Sequence, residues 1–129
     1  MRIEIIEPNG KFFDEEGTFL EFTTIDGREG VYEDHIPVTT ILEPCMVKIH
    51  QGNEVKKAAV LGGFVEIQKK HIVILAEDAN WPEDIDVERA EASRKRAEER
   101  LIKKEPGTDM VRAEASLKRA LARLAATKK

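Results

Sequence analysis

Pro82-Glu83-Asp84-Ile85-Asp86-Val87-Glu88-Arg89-Ala90 divides this chain into two kinds of sequence. Beyond it, Val87–Lys104 contains neither Gly nor Pro and is dense in Ala, Glu, Arg and Lys, all strong helix formers. Asp84, Ile85 and Asp86 supply helix-start chemistry. Glu105-Pro106-Gly107 stops the first helix, Thr108-Asp109 offers a new cap, and Met110–Thr127 is again free of breakers. Two helices of about 18 residues, each ~27 Å long, joined by so short a loop predict an antiparallel hairpin. Spacings of three and four put Met110, Ala113, Leu117, Leu121 and Leu124 on one face of the second helix. Val87, Ala90, Ala97 and Leu101 share a face of the first, with Arg94 interrupting. Both stripes are narrow and alanine-rich, so burial should hold the hairpin only moderately. A hairpin held that weakly can leave its docking place, which is a physical opening for a switch.

Before Pro82 the pattern is one of short strands and turns. Ile3 and Ile5 alternate with Arg2 and Glu4, and Pro8-Asn9-Gly10 turns the chain. Phe12-Phe13 and Phe19–Thr23 follow, closed by Ile25-Asp26-Gly27. Val38–Leu42, Met46–Ile49, Val55–Leu61, Phe64–Ile67 and Ile72–Leu75 read as further strands. Glu43-Pro44, Gln51-Gly52-Asn53, Gly62-Gly63 and Lys69-Lys70 separate them. This predicts an antiparallel sandwich or barrel over residues 1–84, with the helical hairpin occupying 85–129.

Charge divides at the same place. The 129 residues carry a net charge of −4, but residues 1–84 hold 17 acidic and 8 basic side chains, and residues 85–129 hold 8 and 13. A basic tail on an acidic body suits an anionic target: the body itself, a nucleotide, a nucleic acid or an acidic partner. Cys45 is the only cysteine, which excludes an internal disulfide and fits a reducing compartment. Met1-Arg2-Ile3-Glu4 does not read as a signal peptide, and no apolar run approaches the ~20 residues of a membrane span. The expectation is a soluble chain, with no direct membrane insertion.

Signs of catalysis are lacking. His35, His50 and His71 have no metal-ligand spacing, so no metal is expected. No G-x-S-x-G, Walker-type P-loop, G-x-G-x-x-G or H-E-x-x-H occurs. Gly62-Gly63-Phe64 is too short for a phosphate cradle and reads as a bulge or close backbone approach. The arginines say more. Arg89 and Arg96 lie seven apart on the first helix, with Asp86 three residues before Arg89 and close enough to pair with it. Arg112, Arg119 and Arg123 share a face of the second helix. In an antiparallel hairpin two such faces can converge, and the guanidinium fork suits phosphate oxygens. Ion pairs with the hairpin's own glutamates would serve the same residues equally well.

Four fragments together resemble the epsilon subunit of bacterial F-type ATP synthases. Ile3-Glu4-Ile5-Ile6-Glu7-Pro8-Asn9-Gly10 is similar to that family's opening strand and turn. Gly27-Arg28-Glu29-Gly30-Val31-Tyr32-Glu33-Asp34-His35-Ile36-Pro37 resembles its G-x-x-G-[IVL]-x-P-G-H-x-P segment, with Glu33-Asp34 replacing the usual Pro-Gly. Gly62-Gly63-Phe64-Val65-Glu66-Ile67 matches G-G-F-x-E-[VI], and Ile85-Asp86-Val87-Glu88-Arg89-Ala90 matches I-D-x-x-R-A. The resemblance implies a β-sandwich followed by an α-helical hairpin: a non-catalytic central-stalk subunit of a proton- or sodium-translocating synthase. It implies a sandwich that joins the gamma subunit to the membrane rotor ring of c subunits, peripherally at the cytoplasmic face of the cell membrane. It further implies a hairpin that folds down on the sandwich or extends toward the alpha/beta catalytic hexamer and inhibits ATP hydrolysis. There is no cofactor in this reading, but ATP is a regulatory ligand of the folded hairpin. The positions matching that site are Ile85, Asp86, Arg89, Ala90, Arg96, Arg119 and Arg123, with Asn80 standing where such relatives often carry Glu.

Two other readings compete. A free-standing ATP-binding sensor would need the same arginines and no gamma-like partner. A nucleic-acid module would use the basic hairpin, but the body is acidic, aromatics make up only 5% of the chain, and no base-stacking platform is apparent. No nucleic acid is expected.

Overall fold

The computed structural model describes residues 1–128. Eight strands come first: β1 Arg2–Glu7, β2 Gly10–Glu16, β3 Phe19–Thr24, β4 Gly27–Val31, β5 Val38–Gln51, β6 Glu54–Ile67, β7 His71–Ala76 and β8 Ala79–Asn80. A single 3-10 turn, Pro82–Asp84, leads to α1 Val87–Lys103 and α2 Met110–Thr127. Strand order is β2-β1-β7-β6-β5-β3-β4, with β8 on the side of β6.

Two expectations change here. Glu43-Pro44 and Gly62-Gly63 do not end strands, because β5 and β6 are each 14 residues long and run through them. The two interruptions lie opposite one another, with Leu42 paired to Gly63 and Pro44 to Leu61. Gly62 and Gly63 both have positive φ, 91° and 132°, and a Cβ on Gly63 would come within 2.0 Å of the Leu75 carbonyl oxygen. Proline and paired glycines therefore bend the long hairpin together instead of turning it, and the bend carries the chain from one layer to the other. The pairing is not wholly antiparallel either, since β1 runs parallel to β7.

One layer consists of β2, β1, β7 and the far half of β6 with the near half of β5. The other consists of β4, β3, the far half of β5, the near half of β6, and β8. Between them lies the core, with Ile3, Ile5, Ile72, Ile74, Val65 and Ile67 from one layer and Leu20, Phe22, Val31, Val47, Ile49 and Val60 from the other. This is the β-sandwich the resemblance implies. Trp81 closes its edge, stacked on Phe12 at 4.3 Å between ring centroids.

The hairpin is docked. α2 lies on the outer face of β5 and β6, where Ala122 and Ala126 meet Ala59 and Leu61, with Met46 and Ile85 alongside. α1 packs mainly on α2. The buried residues are alanines: Ala90 and Ala97 in α1, and Ala113, Ala120, Ala122 and Ala126 in α2. The expected stripes are thus partly displaced, because Val87 and Leu121 are about half exposed. α2 has to serve two neighbours, the sheet and α1, so its buried surface wraps further round than one stripe, and small side chains let both approach closely.

Candidate functional site

The connection into α1 fixes the site. Asp86 is the N-cap, its Oδ1 accepting the backbone N–H of Arg89 at 3.1 Å. The expected pairing of Asp86 with the Arg89 guanidinium is replaced by this cap, which occupies the carboxylate and leaves the guanidinium free to project. Asp109 caps α2 in the same way, accepting from Arg112 N at 3.0 Å.

Where the start of α1 meets the C-terminal half of α2 and the end of the sandwich, a cleft of about 330 Å³ opens. Asn80 and Asp84 line it from the sandwich side, Ile85, Asp86, Arg89, Ala90 and Ser93 from the first helix and its lead-in, and Arg123 from the second. Ile85 also packs against the Ala59–Leu61 cluster, and Ala90 is buried at the wall. Arg123 Nε donates to Asn80 Oδ1 at 3.1 Å, and its Nη2 lies 3.8 Å from Asp78 Oδ2. Burial pushes the Arg123 guanidinium below its ordinary pKa; Asp78 opposes this, while Arg119 and Arg89 push it further down. Two of the three guanidinium groups, Arg89 and Arg123, line the cleft itself.

Of the seven candidates, five line the cleft. Arg119 does not line it, although its charge opposes that of Arg123; its own Nη2 donates to Ser116 Oγ at 3.3 Å. Arg96 lies elsewhere. It donates to Ser93 Oγ at 3.1 Å and lines a separate groove with Glu99, Arg100, Lys103, Glu105 and Thr108.

Ion pairing within the hairpin falls on a different arginine. Arg94 is held by Glu91 and Glu98, the latter at 2.8 Å, and these carboxylates raise its pKa. Among the described residues, Arg89, Arg96 and Arg119 have no carboxylate oxygen within 4.0 Å. Asp84, Ser93 and Asp78 were not legible as site residues. Ser93 and Arg89 differ by four positions, a helical-face signal that would have found it; Asp78 belongs to no pattern.

Two family models together cover residues 1–128. Residues 1–82 match "ATP synthase, Delta/Epsilon chain, beta-sandwich domain" and residues 83–128 match "ATP synthase, Delta/Epsilon chain, long alpha-helix domain". This chain belongs to the ATP synthase delta/epsilon family. It is 42% identical over 129 residues to the ATP synthase epsilon chain of Brevibacillus brevis, covering 99% of this chain and 98% of that one. With the epsilon chain of Caldanaerobacter subterraneus it shares 39% over 128 residues, covering 98% and 93%. A chain in the cryo-EM structure of the Euglena gracilis mitochondrial ATP synthase, OSCP/F1/c-ring, shares its fold with a TM-score of 0.80 at 17% identity, over 93% of this chain and 76% of that one. A chain of the Tetrahymena thermophila central stalk and c-ring gives 0.65 at 16%, over 99% and 96%. Delta/epsilon chains are regulatory stalk subunits of the synthase and are not catalytic. No helix among the described residues is long and apolar enough to cross a membrane.

Proposed function

We propose that this chain is the rotor-stalk subunit that joins gamma to the c-ring of a proton- or sodium-driven synthase at the cytoplasmic face of the membrane, and that its hairpin restrains ATP hydrolysis under the control of bound ATP. The observation that carries the ligand is that Arg89 and Arg123, from different helices, line one cleft of about 330 Å³ while Arg94 takes Glu91 and Glu98. That volume is at the lower end of ligand clefts, enough for a nucleotide only partly enclosed. Asp84 and Asp86 bring carboxylates to the same cleft as Arg89 and Arg123. A ligand with an amino-bearing base at one end and phosphates at the other matches both kinds of group; inorganic phosphate matches only one.

Gamma has a face to bind. On the layer that α2 leaves uncovered, Ile41 pairs with Phe64 and Phe64 with Leu75, so three large apolar side chains stand in a row, 47%, 54% and 49% exposed. An adjacent apolar row on an otherwise acidic surface marks a protein contact, and favours a stalk subunit over a free-standing sensor. The hairpin carries the chain's positive excess, which suits acidic surfaces of the alpha/beta hexamer when it extends.

Calorimetric titration of the whole chain tests the ligand. ATP should bind more tightly than ADP, and Arg123→Ala should weaken ATP about 10- to 150-fold, the loss of one charge-assisted hydrogen bond. Arg94→Ala should leave the affinity unchanged. Arg123→Ala binding like the parent would remove that guanidinium from the site.

A further inference from the structure

The Arg123 guanidinium already has two partners on the sandwich, and they differ in kind. Asn80 Oδ1, at 3.1 Å, is neutral and offers no opposition to an arriving anion. Asp78 is charged. Its Oδ1 accepts the N–H of Ala79 at 2.9 Å, which fixes the side chain in the short link between β7 and β8, and its Oδ2 is 3.8 Å from Arg123 Nη2. Of the two carboxylates that line the cleft, Asp84 and Asp86, neither lies within 4.0 Å of an Arg123 nitrogen, and Asp86 is engaged in capping α1.

We propose that Asp78 is a resident competitor for the phosphate groups, a carboxylate that sets the affinity of the cleft by opposing any polyphosphate that engages Arg123. The inference rests on the ATP reading above and adds the residue that tunes it. Magnitudes decide its sign. The Arg123–Asp78 contact is a single pair of charges, with side chains 34% and 50% exposed, in the range where ion pairs contribute little to holding a structure together. A nucleoside triphosphate brings several negative charges to the same guanidinium, and Asp78 repels each of them. Removing the carboxylate therefore forfeits one weak attraction and relieves several repulsions. The variant should bind more tightly, the reverse of what loss of a supporting residue does.

Asp78→Asn keeps the Oδ1 that holds Ala79 and removes only the charge. Titrated calorimetrically in full-length protein at low salt, it should bind ATP about five-fold or more tightly than the parent, with a smaller gain for ADP. Inorganic triphosphate should gain as ATP does, because the effect lies at the phosphates. Asp78→Ser, which also leaves an oxygen for the Ala79 N–H, should show the same gain. Glu77→Gln makes the same charge change one residue away, where the carboxylate lies beside Gly62, and should shift affinity less than about two-fold. Raising the salt to about 0.5 M should contract the difference between Asp78→Asn and the parent. If parent and Asp78→Asn bind ATP equally, or the variant binds more weakly, the competitor role is overturned while the ATP site stands. If neither binds ATP or triphosphate, the ATP reading falls and takes this inference with it. Binding by Asp78→Asn alone would support it in its strongest form.

Discussion

Asp34 stands at φ 67°, the left-handed region that most side chains avoid, and its N–H donates to the Lys69 carbonyl at 2.6 Å. The family motif this segment resembles carries Pro-Gly where Glu33-Asp34 stand, and that difference alone reads as a threat to the turn. Instead the left-handed geometry persists, because aspartate is among the few residues that tolerate it. Asp34→Gly should therefore change stability by less than about 1 kcal/mol, and Asp34→Val, β-branched, should cost about 1–2 kcal/mol. Urea unfolding of the two variants checks this; equal midpoints would mean that the turn has no left-handed requirement. The arginines show what local spacing does carry. Arg94 has Glu91 three residues before it and Glu98 four after and pairs with both, whereas neither Arg89 nor Arg96 has glutamates at such spacings on both sides.

At the scale of elements, the reading of Gly62-Gly63 as a bulge or close backbone approach holds, since Gly63 lies against the Leu75 carbonyl, but the expectation that it and Glu43-Pro44 separate strands does not. Pro44 and Gly62-Gly63 are the same signals that end strands elsewhere; only their being paired across the hairpin makes them a shared bend. The helices were legible to within a residue or two because capping and breaker signals are local. Which face they bury was not, since α2 touches two partners. Its contact with the sheet is built from Ala122 and Ala126 over Ala59 and Leu61, which leaves room for nothing larger. Ala122→Leu should cost about 1–3 kcal/mol by overpacking and shift the hairpin away from the sandwich. A fluorophore pair on the sandwich and near Thr127 would report the longer distance, and an unchanged distance would show that the contact is looser than the buried alanines indicate.

For the whole molecule, the division of the core is the decisive feature. The main cluster contains no residue beyond Trp81, and the hairpin joins the sandwich through a second, smaller cluster of alanines with Leu61, Met46 and Ile85. The sandwich thus carries its own core, and docking adds a modest apolar contact, the Lys118–Glu43 pair at 3.4 Å, a hydrogen bond from Lys57 Nζ to the Lys128 carbonyl at 3.1 Å and the Arg123 contacts. A chain ending at Asp84 keeps Trp81 on Phe12 and the Ile41–Phe64–Leu75 row. It should fold, assemble with gamma, and leave ATP hydrolysis by the synthase unrestrained. Hydrolysis rates measured in assemblies with full-length and shortened chains test this directly; equal rates would remove the hairpin from inhibition.

The sequence by itself determined a strand-rich body followed by two helices and the caps of both helices, because each depends on periodicity or chemistry within a few residues. It also determined the opposed charges of body and tail. The tertiary structure alone decided that β5 and β6 bend rather than end, that alanines rather than leucines dock α2, and that Arg96 stands apart from the cleft. It alone brought Asp78, 45 positions away in the chain, against Arg123. Pairs within one helix, such as Arg94 with Glu91 and Glu98, follow from local spacing, but a charge 45 positions away is set beside another only by long-range folding, and no local pattern carries that information.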